Sequence, residues 1–173
     1  FYTPVYEQWF KSLRYKPIRL LAIGVGGYAK SQMGGDSLRM WKRYFPQGHI
    51  TGIDIYDKSA LQENRLKILK GDQTDPVFLT ELTNTEGPFD IIIDDGSHVQ
   101  SHIITSFETL FPLMNRGGIY VIEDTQTSYW PKFEGSTAEM HSVPSAMNYF
   151  IKRVHTVNRQ EWLQDEQHPE LPD

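Results

Sequence analysis

The sequence predicts an α/β protein built on a doubly wound, mainly parallel sheet with helices on both faces. Three observations carry this expectation. Short apolar runs alternate with helix-period segments from Arg19 to Ile122, joined by short turns, as parallel strands with right-handed crossovers require. Ile91-Ile92-Ile93 is a continuous apolar run, the signature of a strand covered on both faces. Glycines and acids gather where the runs end, at Gly24, Asp54, Asp72, Asp94-Asp95 and Glu123-Asp124. Open α/β sheets bind their ligands at that carboxyl edge.

A chain of 173 residues suits one domain with a full core, and 39% hydrophobic content is ordinary for a globular protein. The net charge of −5 leaves no basic footprint for nucleic acid and no polybasic patch for a membrane surface. No apolar stretch approaches the roughly 18 residues of a membrane span, and no signal-peptide pattern is present. The absence of cysteine excludes disulfides, thiolate metal sites and a cysteine nucleophile. A soluble, cytoplasmic protein is expected.

Taken in order, Tyr2 to Leu13 carries Val5, Tyr6, Trp9, Phe10 and Leu13 at helical spacing, a face for the sheet edge or for another subunit. Arg19 to Ile23 is a short buried strand that empties into Gly24-Val25-Gly26-Gly27-Tyr28. Glycine lets the backbone turn tightly and approach a ligand, although such a turn serves a purely structural purpose equally well. Asp36-Ser37 is placed to cap a helix through Phe45, with Leu38, Trp41, Tyr44 and Phe45 inward. The spacing does not match GxGxxG followed directly by a helix, so a dinucleotide fingerprint fits poorly.

His49 to Asp54 is a second strand closing on an acid. Asp54 suits the hydroxyls of a ribose, since a carboxylate accepts two hydrogen bonds from a vicinal diol; a turn or cap aspartate is the plainer alternative. A short helix starts at Ser59, and Leu66 to Leu69 is a weaker strand ending in Gly71-Asp72-Gln73. Asp72 and Gln73 can read an adenine edge or simply close the turn. Asp75-Pro76 caps and starts a helix whose buried face is Phe78, Leu79 and Leu82.

Gly87-Pro88 introduces the strand Phe89 to Ile93. His98 then opens a helix with Ile103, Ile104, Phe107, Leu110, Phe111 and Met114 at helical spacing, ended or kinked by Pro112. Ile119 to Ile122 is the fifth strand. Thr125 to Gly135 is an aromatic loop with Tyr129, Trp130 and Phe133, either a substrate lid or a plug over the core. Ala146 to Val157 is a helix with Met147, Phe150, Ile151 and Val154 inward, and Glu161 to Asp173 is polar with no strand.

Asp94, Asp95, Glu123 and Asp124 are too many carboxylates for one solvated face that begins inside apolar strands. Crowded together they raise one another's pKa unless a cation neutralises them. Hard oxygen ligands favour Mg²⁺, with Mn²⁺ or Ca²⁺ as alternatives. Singly, Asp94 or Asp95 also reads as a turn or cap residue. His98, three residues beyond Asp95, has the titration range of a general base, and His102 has a weaker claim.

Ile23-Gly24-Val25-Gly26-Gly27-Tyr28, Gly52-Ile53-Asp54-Ile55, Gly71-Asp72-Gln73, Asp94-Asp95-Gly96-Ser97-His98 and Val121-Ile122-Glu123-Asp124-Thr125 together resemble the metal-dependent sugar O-methyltransferases of natural-product biosynthesis. The likeness runs from about Ile18 to about Trp130 and is strongest to the macrolide deoxysugar enzymes of the mycinamicin and macrocin pathways. The resemblance implies a Rossmann-like class I methyltransferase fold, S-adenosyl-L-methionine as methyl donor and Mg²⁺. It implies a glycosylated small-molecule acceptor, a role in antibiotic biosynthesis and a homo-oligomer. Carried over by motif, Gly24 and Gly26 border the methionine part of the donor, with Tyr28 and Ser37 beside them. Asp54 binds the ribose, Asp72 and Gln73 sit near adenine, and Asp94 lies behind the metal or on the donor side. Asp95, Glu123 and Asp124 are the implied metal ligands and His98 the base.

The fold so implied closes with an antiparallel strand pair, and its members carry an N-terminal auxiliary region. Neither is legible here, so residues 1–173 read as a single methyltransferase domain incomplete at both ends. Two other readings stay open: a nicotinamide-dependent sugar oxidoreductase on the same topology, and a non-catalytic domain with a degenerate donor pocket.

Overall fold

A computed structural model describes residues 2–137 and 144–157. The region Glu161 to Asp173, expected to be strandless, lies outside the described residues. The chain divides into two units, one made of Phe1–His98 with His102–Asp124 and the other of Val99–Ser101 with Thr125–Asp173. Among the described residues no helix is long and apolar enough to cross a membrane.

The first unit holds a five-stranded sheet. Its strands are β1 (Arg19–Ile23), β2 (His49–Asp54), β3 (Leu66–Lys70), β4 (Ile91–Asp94) and β5 (Ile119–Ile122), in the order β3-β2-β1-β4-β5. All four pairings are parallel, so the doubly wound expectation holds. The order reverses at β1, whose neighbours are β2 and β4, and that switch point is where such sheets open a crevice for ligands.

Side chains of a strand alternate between faces, and the two halves of the core follow that rule. Leu20, Ala22, Ile91 and Ile93 belong to one cluster with residues of α1 (Thr3–Phe10) and α2 (Asp36–Tyr44). Leu21, Ile23 and Ile92 belong to a second cluster with residues of α3 (Pro76–Glu86) and of α4 (Gln100–Leu110). The unbroken isoleucine run of β4 thus feeds both cores.

Helix ends show where local signals sufficed. Asp75 caps α3 as expected, its carboxylate accepting from the Val77 and Phe78 N–H groups at 2.9 and 3.1 Å. The cap of α2 differs from the expectation of Asp36-Ser37. Gly35 takes that position at φ 79°, no side chain caps the helix, and Asp36 becomes its first residue. The left-handed turn through Gly34 and Gly35 already sets the direction of entry. The face of α1 is also narrower than its apolar stripe. Tyr6 and Phe10 are buried against Trp41 and Phe45, whereas Val5 and Trp9 are exposed.

In the second unit, two 3₁₀ turns (Thr125–Tyr129 and Pro131–Phe133) precede α5 (Ala146–Val157). The buried Gln100 side chain ties them together. Its oxygen accepts from Ser128 Oγ at 2.7 Å and the Ala146 N–H at 2.9 Å, and its nitrogen donates to Thr127 Oγ1 at 3.3 Å. Ile151 and Val154, expected inward, are exposed instead, and Tyr129 and Trp130 are 38% and 49% exposed. Helical spacing defines a face without specifying that anything covers it.

Candidate active site and metal centre

The carboxyl ends of β4 and β5 lie side by side, with Ile93 opposite Val121 and Asp94 opposite Ile122. The pairing continues one step further, the Glu123 N–H donating to the Asp94 carbonyl at 2.9 Å. On the other side the Asp95 N–H donates to the Ile23 carbonyl at 3.0 Å, which brings the end of β1 alongside. Three strand ends therefore meet at Gly24, Asp95 and Glu123.

Alternation separates the two adjacent aspartates. Ile92 and Tyr120 pack on the α3/α4 side, so Asp94 faces that side too. Its carboxylate is buried and accepts from Ser106 Oγ at 2.6 Å, from the Gln73 amide at 3.3 Å and from the Gly96 N–H at 3.3 Å, with Tyr120 Oη at 3.4 Å. Burial pushes the Asp94 carboxyl up, and the bonds from Ser106, Gly96 and Gln73 pull it back. Asp94→Ala would strip an acceptor from several buried donors at once, and a loss of about 2–4 kcal/mol is expected in urea unfolding. Asp94→Asn, which keeps the shape, is expected to lose less.

Asp95 and Glu123 follow Ile93 and Val121 to the α1/α2 side by the same alternation. One ligand atom from each of Asp95, His98 and Asp124 lies within 4.8 Å of the others. His98 Nε2 is 3.7 Å from Asp95 Oδ1. Burial, then the negative charges of Glu123 and Asp124, push Asp95 up to about 6, with His98 acting in the opposite sense. Glu123 is outside that trio but beside it, and its Oε1 accepts from the Tyr6 hydroxyl. Burial and the Glu123 carboxylate hold the Tyr6 phenol far above its ordinary pKa.

This donor set fits a hard divalent cation. Oxygens held at roughly 2.0–2.1 Å from Mg²⁺ stand within about 4.2 Å of one another, so a small closure of the trio suffices. A cation would also remove the repulsion that raises Asp95. His98 and Asp124 both sit at positive φ, 59° and 52°. Aspartate and histidine tolerate that region better than most residues, but two such positions in one cluster mark a backbone held by its surroundings. His98 was expected to open a helix; α4 begins at Gln100, and the left-handed turn at His98 is what aims its ring at Asp95.

On the β1 side, Gly24 has φ 93° and a Cβ there would stand 2.1 Å from the Asp95 carbonyl oxygen. Gly24→Ala combines a left-handed penalty of about 1–2 kcal/mol with that clash, so a fall in melting temperature of at least roughly 4 °C is expected. Gly26 is different: it has φ 79°, and a Cβ would meet nothing within 4 Å. Asp54 accepts from the Val25 N–H at 3.0 Å through one oxygen and the Tyr56 N–H at 2.9 Å through the other. Its carboxylate is thereby fixed beside the glycine turn, with lone pairs remaining for a diol.

Tyr28 and Ser37 are exposed, Tyr28 at φ 48°. Asp72 is exposed and accepts from the Thr74 N–H and Oγ1, which lowers its pKa. Gln73 is buried and engaged at both ends, donating to Asp94 and accepting from the Ser97 N–H at 2.8 Å. In the structure it braces the turn after β4. A Cβ on Gly96 would stand 2.2 Å from its oxygen, so that brace needs glycine there. His102 Nδ1 pairs with Ser97 Oγ at 2.9 Å.

Several residues of the site carry no mark in the sequence. Lys58 is fully buried, its ammonium donating to the Lys30 and Met33 carbonyls at 2.7 and 3.0 Å and so closing the loop after the glycine turn. Ser106 offered one faint sign, a small polar residue on an apolar helix face. Tyr6 reads only as a member of an apolar stripe, and Tyr2 only marks where that segment begins.

Comparison with known proteins bears on this geometry. A tetracenomycin-pathway enzyme of Streptomyces olivaceus, 8-demethyl-8-alpha-L-rhamnosyl tetracenomycin-C 2'-O-methyltransferase, is 53% identical over 135 residues, covering 78% of this chain and 36% of that protein. The mycinamicin VI 2''-O-methyltransferase of Micromonospora griseorubida is 44% identical over 164 residues, covering 95% of this chain and 41% of that protein. Among solved structures, the MycE methyltransferase from the mycinamycin biosynthetic pathway, in complex with Mg, SAH and mycinamycin VI, matches with a TM-score of 0.88 at 44% identity. That match covers 91% of this chain and 43% of the other. The chain thus spans about two fifths of the length of the curated relatives it matches. No protein-family model matches it.

Proposed function

We propose that this chain, a homologue of the sugar O-methyltransferases of macrolide and tetracenomycin pathways, forms the donor- and metal-binding part of an S-adenosyl-L-methionine- and Mg²⁺-dependent O-methyltransferase. Its acceptor would be a hydroxyl of a glycosyl group, one of a vicinal pair, on a small-molecule natural product. The observation that carries the reading is the convergence of Asp95, His98 and Asp124 at the β4 and β5 ends, next to the Gly24 turn. A relative bound to Mg and SAH supports it.

Gly24, Gly26 and Asp54 would hold the donor, with Tyr28, Ser37 and Asp72 at its margins and Gln73 and Asp94 stiffening the turn behind it. Asp95 and Asp124, with Glu123 beside them, would hold the cation. A sugar hydroxyl is a weak acid, and a bound divalent cation would supply acidification of a neighbouring diol and a fixed orientation for it. His98 takes the hydroxyl proton as the acceptor oxygen bonds to the methyl carbon and the carbon–sulfur bond breaks.

A second reading is favoured by one observation: His98 is itself a member of the trio whose ligand atoms converge. It would then bind the cation, and another group would take the proton. Titrating S-adenosylhomocysteine and Mg²⁺ into the full-length protein by calorimetry tests the main proposal, and absence of donor binding would sink it. The same reading carries a cytoplasmic homo-oligomer, which light scattering on the purified enzyme tests as to assembly.

A further inference from the structure

Glu123 and Asp124 are held from a helix more than a hundred residues away in the chain. The Tyr6 hydroxyl donates to Glu123 Oε1, and the Tyr2 hydroxyl donates to Asp124 Oδ1 at 2.7 Å. Tyr2 and Tyr6 are four residues apart, so both project from one side of the start of α1, with ring centroids 6.2 Å apart. The helix is not free to move. Tyr6 is 8% exposed, stacks on Phe10 at 5.2 Å and meets Trp41 edge-on at 4.9 Å. Phe10 in turn packs against Trp41 and Phe45 of the core.

We infer that Tyr6, with Tyr2, positions the two adjacent carboxylates for the cation, so that α1 serves as the outer brace of the metal centre. This rests on the metal-site reading above. Each phenol donates to one oxygen of its carboxylate and so fixes the orientation of the group. The paired donors also lessen the repulsion between neighbouring acids while no ion is bound. A core-anchored aromatic is a stiffer support than water, because its hydroxyl cannot leave. Tyr6 is the stronger partner, being buried, and Tyr2, 44% exposed, the weaker. Both are positioning residues and neither takes part in methyl transfer.

Outer partners of metal ligands typically contribute about 10–100-fold in metal affinity. The test compares Tyr6→Phe, Tyr2→Phe and the double variant with wild type in the full-length protein, using Mn²⁺ as probe. Mn²⁺ affinity and the electron paramagnetic resonance line shape of the bound ion are measured without acceptor. Tyr6→Phe is expected to weaken Mn²⁺ binding about tenfold or more and to broaden the line shape, Tyr2→Phe to act less, and the double variant to be weakest. Melting of the metal-free protein should fall only modestly and in both single variants, because phenylalanine keeps the packing and only the hydrogen bond to the carboxylate is lost. A Tyr6→Phe protein that binds Mn²⁺ with wild-type affinity and line shape would overturn the inference, assigning the ring a packing role alone. So would a loss of affinity matched by a collapse in metal-free melting temperature that Tyr2→Phe does not share. Failure of wild type itself to bind Mn²⁺ would instead overturn the metal-site reading.

Discussion

Replacing His98 by glutamine is expected to lower the rate of methyl transfer by about 10²–10⁴-fold, the range a positioned general base supplies. Glutamine preserves length and a polar end but cannot accept and carry the proton. If His98 is the base, affinities for Mg²⁺ and for S-adenosylhomocysteine should stay within about twofold, so the loss falls on turnover. If His98 is a ligand, removing one of three convergent donor atoms should weaken Mg²⁺ by at least an order of magnitude. Parallel calorimetry and single-turnover kinetics separate the two. The positive φ of His98 makes glutamine less comfortable there, so the melting temperature of the variant is the needed control.

The second large effect belongs to Asp95. Asp95→Asn is expected to abolish Mg²⁺ binding at millimolar concentrations, because a neutral amide replaces the carboxylate most crowded by its neighbours. Its effect on stability has the opposite sign. The folded carboxyl titrates near 6, above its ordinary 3.8, so the folded state binds more protons than the unfolded one between those values. Stability of the metal-free protein therefore falls as pH rises through that window, and the penalty is complete above about 6. Metal-free Asp95→Asn should melt above wild type at pH 8, and the two should converge below pH 4. Added Mg²⁺ reverses the order, since an ion at 100 times its dissociation constant stabilises wild type by about 2.7 kcal/mol and the variant not at all. Proton and ion compete for the same site, so Mg²⁺ affinity of wild type should decline as pH drops below 6. A metal-free wild type whose melting temperature rises steadily from pH 4 to pH 7 relative to the variant would refute the electrostatic picture of the cluster.

The strands and most helices were legible because their signals are local. An unbroken isoleucine run, a helical repeat or an Asp75-Pro76 cap constrains backbone through neighbours a few residues away. The acids at strand ends were legible for a related reason: polar residues placed directly after a buried strand emerge at one edge of a parallel sheet. The resemblance of five separate motifs, in order, then pointed to a methyl donor and a cation. The failures were also physical. Asp36 lost the cap of α2 because a left-handed Gly34-Gly35 turn already determines how the chain enters. Ile151 and Val154 lie exposed because periodicity states which residues share a face and is silent on what packs there.

Local pattern was enough for the alternation of strands and helices, for the carboxyl-edge location of the polar groups and for the abundance of carboxylates among them. Tertiary structure alone decided how neighbouring acids divide their work. Strand alternation sends Asp94 into the Ser106, Gln73 and Tyr120 network and Asp95 to the opposite side, toward His98 and Asp124. Only packing brings Tyr2 and Tyr6 to Asp124 and Glu123 across separations of 122 and 117 residues. Contacts of that range leave no trace in local composition, since a phenol four residues from another looks like one more member of an apolar stripe. The geometry of the site depends on the whole sheet and the helices that press on it.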